Sequence, residues 1–141
     1  MKKHLLLIII ILLYGCSSTI KKEDLVHLNG YWEIEKVVFP DGSSKDYKIN
    51  TTIDYIEVDN LKGFRKKLQP KFDGSYITSN DAESFTIFIN ESVFEIYYKN
   101  NLSEWKERIT QLSKDHFSVM NEDGIVYNYK KYTPINIENT K

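Results

Sequence analysis

SFTIFINESVFEIYYK, Ser84 to Lys99, reads as two β-strands and the turn that joins them. Successive side chains of a strand point to opposite faces. In SFTIFIN (Ser84 to Asn90), Phe85, Ile87 and Ile89 therefore share one face. VFEIYYK (Val93 to Lys99) resumes after only Glu91 and Ser92. Two such runs so close together imply an antiparallel hairpin.

The pattern continues outward in both directions. Toward the N-terminus, SYITS (Ser75 to Ser79) is a further strand, set off by the acidic stretch Asn80 to Glu83, read as a solvated turn. Asp73-Gly74 precedes it as a turn signal. FRKKLQP (Phe64 to Pro70) reads as an exposed or edge strand, because adjacent cations are costly inside and Pro70 cannot donate to a ladder. DYIEV (Asp54 to Val58) and YWEIEKVVF (Tyr31 to Phe39) complete that side, the latter ended by Pro40-Asp41-Gly42. Toward the C-terminus come WKERITQL (Trp105 to Leu112), FSVMN (Phe117 to Asn121) and IVYNYKKY (Ile125 to Tyr132). Glu122-Asp123-Gly124 joins the last two as a short hairpin. Residues 133–141 form a polar tail. The expectation is an all-β, antiparallel up-and-down meander of about eight strands, closed into a small barrel. An open sheet and a two-sheet sandwich are the alternatives.

The N-terminus carries a different signal. Lys2, Lys3 and His4 precede the apolar run Leu5 to Leu13. That run is too short to cross a bilayer as a helix, which takes ~20 residues, but fits the apolar region of a secretory signal. It ends in LYGC, Leu13 to Cys16, which resembles the lipobox of bacterial lipoproteins, although Tyr14 is bulkier than the usual residue there. The resemblance implies a signal peptide over residues 1–15 and a diacylglyceryl group, usually with an N-acyl chain, at Cys16. It also implies outer-membrane sorting, because Ser17 is not the inner-membrane retention Asp. Residues 16–27 read as the lipidated Cys and a tether, and residues 28–132 as the folded domain. SSTIKKED (Ser17 to Asp24) resembles the surface-export signals of Bacteroidetes lipoproteins; a plain solvated linker is the alternative.

LNGYWEIEKV (Leu28 to Val37) resembles the Gly-x-Trp start of lipocalins and of the small lipocalin-like lipoproteins of Bacteroidetes, with Gly30 and Trp32 as the matching residues. The resemblance implies that Trp32 plugs the closed end of a barrel and that a basic residue of the last strand packs across it. Lys130 and Lys131 are the candidates. An Arg is commoner there in the family, and its Thr-Asp-Trp-type second motif is absent.

Composition narrows the function classes. The chain has 20 acidic and 19 basic side chains, two of which, Lys2 and Lys3, leave with the signal. That balance argues against a nucleic-acid footprint, which needs a basic face. Cys16 is the single cysteine, so no internal disulfide can form. His27 and His116 stand in no metal-ligand spacing, and neither a Gly-x-Ser-x-Gly elbow nor a phosphate-binding glycine loop occurs. No catalytic residue, metal or cofactor is expected. Tyr97, Tyr98, Tyr127 and Tyr129 are candidates to line a pocket for a small apolar ligand, but a short chain with this many aromatics favours the reading that they fill the barrel core and decorate its outside. Arg65, Lys66 and Lys67 are candidates for a face that meets an envelope protein, as an inhibitor or immunity-type lipoprotein would, although an ordinary solvated edge that guards against aggregation is the favoured reading. The main expectation is a membrane-anchored, non-catalytic binding module for a small apolar ligand or a protein partner. Its oligomeric state stays open.

Overall fold

A computed structural model describes residues 19–134; the expectations for the signal segment, Cys16, Ser17 and residues 135–141 fall outside them. Among the described residues a short 3₁₀ helix, Lys22–Leu28, leads into nine strands. They are β1 (Gly30–Val38), β2 (Ser44–Asp46), β3 (Ile53–Asp59), β4 (Lys62–Pro70), β5 (Tyr76–Asn90), β6 (Val93–Lys99), β7 (Glu104–Leu112), β8 (His116–Asn121) and β9 (Val126–Lys131). From β3 onward each strand pairs antiparallel with the next, β3 also pairs with β1, and β1 pairs with β9. That last ladder, with Trp32 opposite Lys131 and Val38 opposite Val126, closes β1 and β3 to β9 into a barrel of eight strands. Closure removes both the open-sheet and the sandwich alternatives. Register shifts at Ile34/Lys36, Lys66/Leu68 and Ile109/Gln111 add the local twist that curls a short sheet onto itself.

The alternation along each strand decides what lies inside. In β6, Phe94, Ile96 and Tyr98 are buried while Val93 and Lys99 are exposed. With Trp32, Ile56, Phe85, Ile87, Ile109, Phe117, Val119 and Tyr129 they form one core. Leu25 and Leu28 of the helix belong to the same core, so the helix stoppers one end of the barrel. Burying each such leucine contributes roughly 1.5–3 kcal/mol. The tether expected over residues 16–27 is thus cut short: from Lys22 the chain is packed. The polar Lys22, Glu23 and Asp24 lie on the outer side of a turn whose apolar side is inside.

Three strand expectations are also corrected. SYITS and SFTIFIN are parts of one strand, β5, and the expected turn at Asn80 to Glu83 is extended backbone. Polarity there reports exposure, since residues 77–84 are all exposed. β2, which the sequence did not announce, is a polar strand laid against Lys36–Val38 of β1. FRKKLQP is no edge: β4 is hydrogen-bonded to β3 on one side and β5 on the other.

Candidate functional site

Charged side chains from several strands meet inside the barrel. Asp54 of β3 shares the inward phase of Ile56, and Arg65 of β4 stands directly opposite Ile56. Glu107 of β7 stands opposite buried Ile96, in phase with buried Ile109. Arg65 donates Nε and Nη2 to the two carboxylate oxygens of Asp54, at 3.1 and 3.0 Å. Its Nη2 also donates to the Tyr129 hydroxyl at 2.6 Å, and its Nη1 lies 3.5 Å from Glu107 Oε2. The Tyr98 hydroxyl donates to Glu107 at 3.2 Å, and Lys67 closes the group by reaching Asp54 Oδ1 at 2.6 Å.

The electrostatics follow from this geometry. Burial works against ionisation of Asp54, yet the Arg65 and Lys67 charges outweigh it and hold the carboxyl below its ordinary value. For Glu107 burial prevails over Arg65 and the pKa is raised. Burial likewise opposes the Arg65 charge, but Tyr129, Asp54 and Tyr98 outweigh it and keep the guanidinium firmly protonated. Burial pushes the Tyr129 hydroxyl up to about 12. Two carboxylates face two cations, and among the described residues no buried side-chain nitrogen or oxygen lacks a partner. The buried donors of the group are thus spent within it. It ties β3, β4, β6, β7 and β9 together, and removing one member of such a buried pair costs about 3–5 kcal/mol.

Three of the four tyrosine candidates pack in or against the core, as the filled-core reading has it. Tyr98 and Tyr129 are buried, Tyr127 is half-buried against the core, and Tyr97 lies on the outer surface, bonded to Glu104. Tyr97 is thus a correction: it alternates with Ile96 and Tyr98 and cannot share their face. Tyr129 stacks on Phe117 at 4.6 Å, Phe117 meets Trp32 edge-on at 4.7 Å, and Tyr98 stacks on Trp105 at 4.9 Å. Two open grooves lie at the β3–β4 turn. One, of about 240 Å³, runs along Leu25, Val58 and Leu61, and the other, of about 520 Å³, along Glu57, Lys62 and Phe64.

The expected basic face is likewise dispersed. Arg65 points into the barrel, Lys66 is half-buried on its outside opposite Tyr55, and Lys67 turns to Asp54. Adjacent strand residues face opposite ways, and Arg65 is tolerated inside because two carboxylates meet it there. Asp54 and Glu107 were the residues missed. Each is a charge on the apolar phase of its strand, as Arg65 is, and three inward charges of mixed sign were the available signal.

At the helix end, Trp32 is fully buried and donates Nε1 to the Leu28 carbonyl at 2.7 Å. Lys131 is the basic partner: its ammonium sits 3.8 Å above the indole and donates to the Asn29 carbonyl at 2.6 Å. Lys130 faces outward, 3.7 Å from Glu33. Gly30 has φ +119°, and a Cβ there would stand 3.0 Å from the Lys131 ammonium. Among the described residues no group of His, Cys, Asp and Glu is arranged to hold a metal ion.

Residues 28–119 match a family model described as a lipocalin-like domain. Among solved structures, the chain is similar to a lipocalin-like protein from Bacteroides uniformis ATCC 8492, with 12% identity and a TM-score of 0.48. The likeness covers 75% of this chain and 99% of that one. None of the curated proteins matches the chain.

Proposed function

Because the chain belongs to the lipocalin-like domain family, we propose that it is a binding module held at the bacterial envelope by lipid on Cys16, and that it meets a protein partner with its outer surface. The family's fold suggests binding rather than catalysis. The observation that carries the choice of partner is the filled interior: Trp32, Tyr98 and Phe117 are all but fully buried, and the Arg65 group spans the space beside them. A small apolar molecule inside would have to displace packed rings and leave buried charges against hydrocarbon, which is costly. The anchor rests on the LYGC motif, and outer-membrane placement on Ser17. SSTIKKED supports display on the cell surface.

Native mass spectrometry of the chain, gently extracted and delipidated, tests the reading. The polypeptide is expected alone, and cross-linking on intact cells should give a discrete complex with another protein that is lost in Cys16→Ser. A stoichiometric small molecule travelling with the barrel would overturn it.

A further inference from the structure

We propose that the free edge of β5, Ile77 to Ser84, docks an extended basic strand of a protein partner; this deepens the protein-partner reading above and rests on it. β5 pairs with β6 only from Phe85 to Asn90, whereas its pairing with β4 runs on to Tyr76. Beyond Phe85, β6 has run out into the turn Asn100–Ser103. From Ser84 back to Ile77, no backbone pairing on the side away from β4 is found among the described residues; the Ser79 carbonyl accepts only from the Thr78 hydroxyl, at 2.9 Å.

An unpaired edge of this length is a template for another strand, because main-chain hydrogen bonds are the common currency of strand addition. Among the described residues β1 to β9 closes the ring, and the outer edge of β2, which covers the end of β1, is only three residues long. The β4–β5 irregularity opposite Lys67 falls within the segment and gives it a twist that an incoming strand must follow.

The charge of the edge selects the occupant. Its titratable groups are Asp81 and Glu83, both exposed, and neither has a cation within ion-pair distance among the described residues. The nearest basic residue of β6, Lys99, is held by Glu104 at 2.7 Å. Ile77, 52% exposed, adds an apolar contact at one end. A strand alternating Lys or Arg with apolar residues complements all of these. A second copy of this chain does not, because two such edges related by a two-fold axis would gather four carboxylates.

The probes are two short synthetic peptides, one alternating valine with lysine and one alternating valine with glutamate. They are added to the ¹⁵N-labelled full chain in detergent micelles, and amide hydrogen exchange is read by NMR. The lysine peptide should slow the outward amides of Ile77 to Ser84 by about tenfold, the effect of one net backbone hydrogen bond, while the glutamate peptide leaves them unchanged. In the Asp81→Lys/Glu83→Lys double variant, which alters only exposed side chains, the preference should reverse. No protection, protection centred elsewhere, equal protection by both peptides, or an unreversed preference would overturn the proposal. So would protection that grows with protein concentration alone, the mark of self-pairing. A small molecule found in the barrel would overturn the protein-partner reading without touching this result. An unprotected edge in an empty barrel would remove the docking edge alone.

Discussion

Gly63 has no room for a side chain. A Cβ there would lie 2.1 Å from the Glu57 carbonyl oxygen and 2.7 Å from Cζ of Phe85. Neither the backbone nor a buried ring can retreat cheaply, so Gly63→Ala should destabilise the barrel by about 1–3 kcal/mol, the usual cost of overpacking, read as a lower urea midpoint. The two neighbouring lysines of β9 give a matched pair at the other end of the chain. Lys131→Met loses the contact over Trp32 and should cost about 1 kcal/mol, whereas Lys130→Met, which loses only a surface pair, should change the midpoint little. A Lys130→Met as damaging as Lys131→Met would show the wrong side chain assigned to the plug. The Gly-x-Trp start was legible in sequence, but the choice between Lys130 and Lys131 was not. Adjacent strand residues point opposite ways, and only the pairing of Trp32 with Lys131 sets which one faces the indole.

Hairpin turns were the most legible elements. Asp41-Gly42-Ser43 and Asp73-Gly74-Ser75 use the same device: the Asp side chain accepts from the Ser amide at 2.9 Å and from its hydroxyl at 2.6 Å. Such local bonds can be read from a few residues. β5 could not, because its first half is polar for want of a sheet above it, and polarity alone looks like a turn. The helix was hidden for a related reason: in KEDLVHL the charges dominate, and Leu25 and Leu28 declare themselves only against the barrel end. Leu28→Ala should therefore cost about 2–5 kcal/mol, as in any packed core, with thermal melting as the measurement. A melting temperature unmoved by Leu28→Ala would mean that residues 22–28 are a tether after all.

On the scale of the whole molecule, the charged group at the centre couples stability to pH in two opposing ways. Glu107 has a raised pKa in the fold, so as pH falls from neutral the folded chain takes up a proton before the unfolded chain does, near 4.5. Acid therefore stabilises in that window. Asp54 has a lowered pKa, so below its ordinary 3.8 the unfolded chain takes the proton first and acid destabilises. Urea midpoints measured against pH should rise as pH drops from 7 toward 4.5 and then fall. Glu107→Gln should abolish the rise and leave the fall; a rise that persists in Glu107→Gln would place its origin elsewhere. The closed barrel itself was legible from the number and spacing of strands. The charged group inside it was not, because the inward charges come from β3, β4 and β7 and become one group only when the sheet closes.

What the barrel can bind turns on whether that interior admits a ligand. The Arg65 guanidinium reports on it directly, through the ¹⁵N and ¹H resonances of its Nε–H, which is bonded to Asp54. Laurate is a suitable apolar probe, added to saturation while these resonances are followed. An Arg65 signal that keeps its shift and its slow exchange is the predicted result. A signal that moves or exchanges freely as laurate is added would show the barrel opening to a ligand, and would contradict a filled core that binds only from outside.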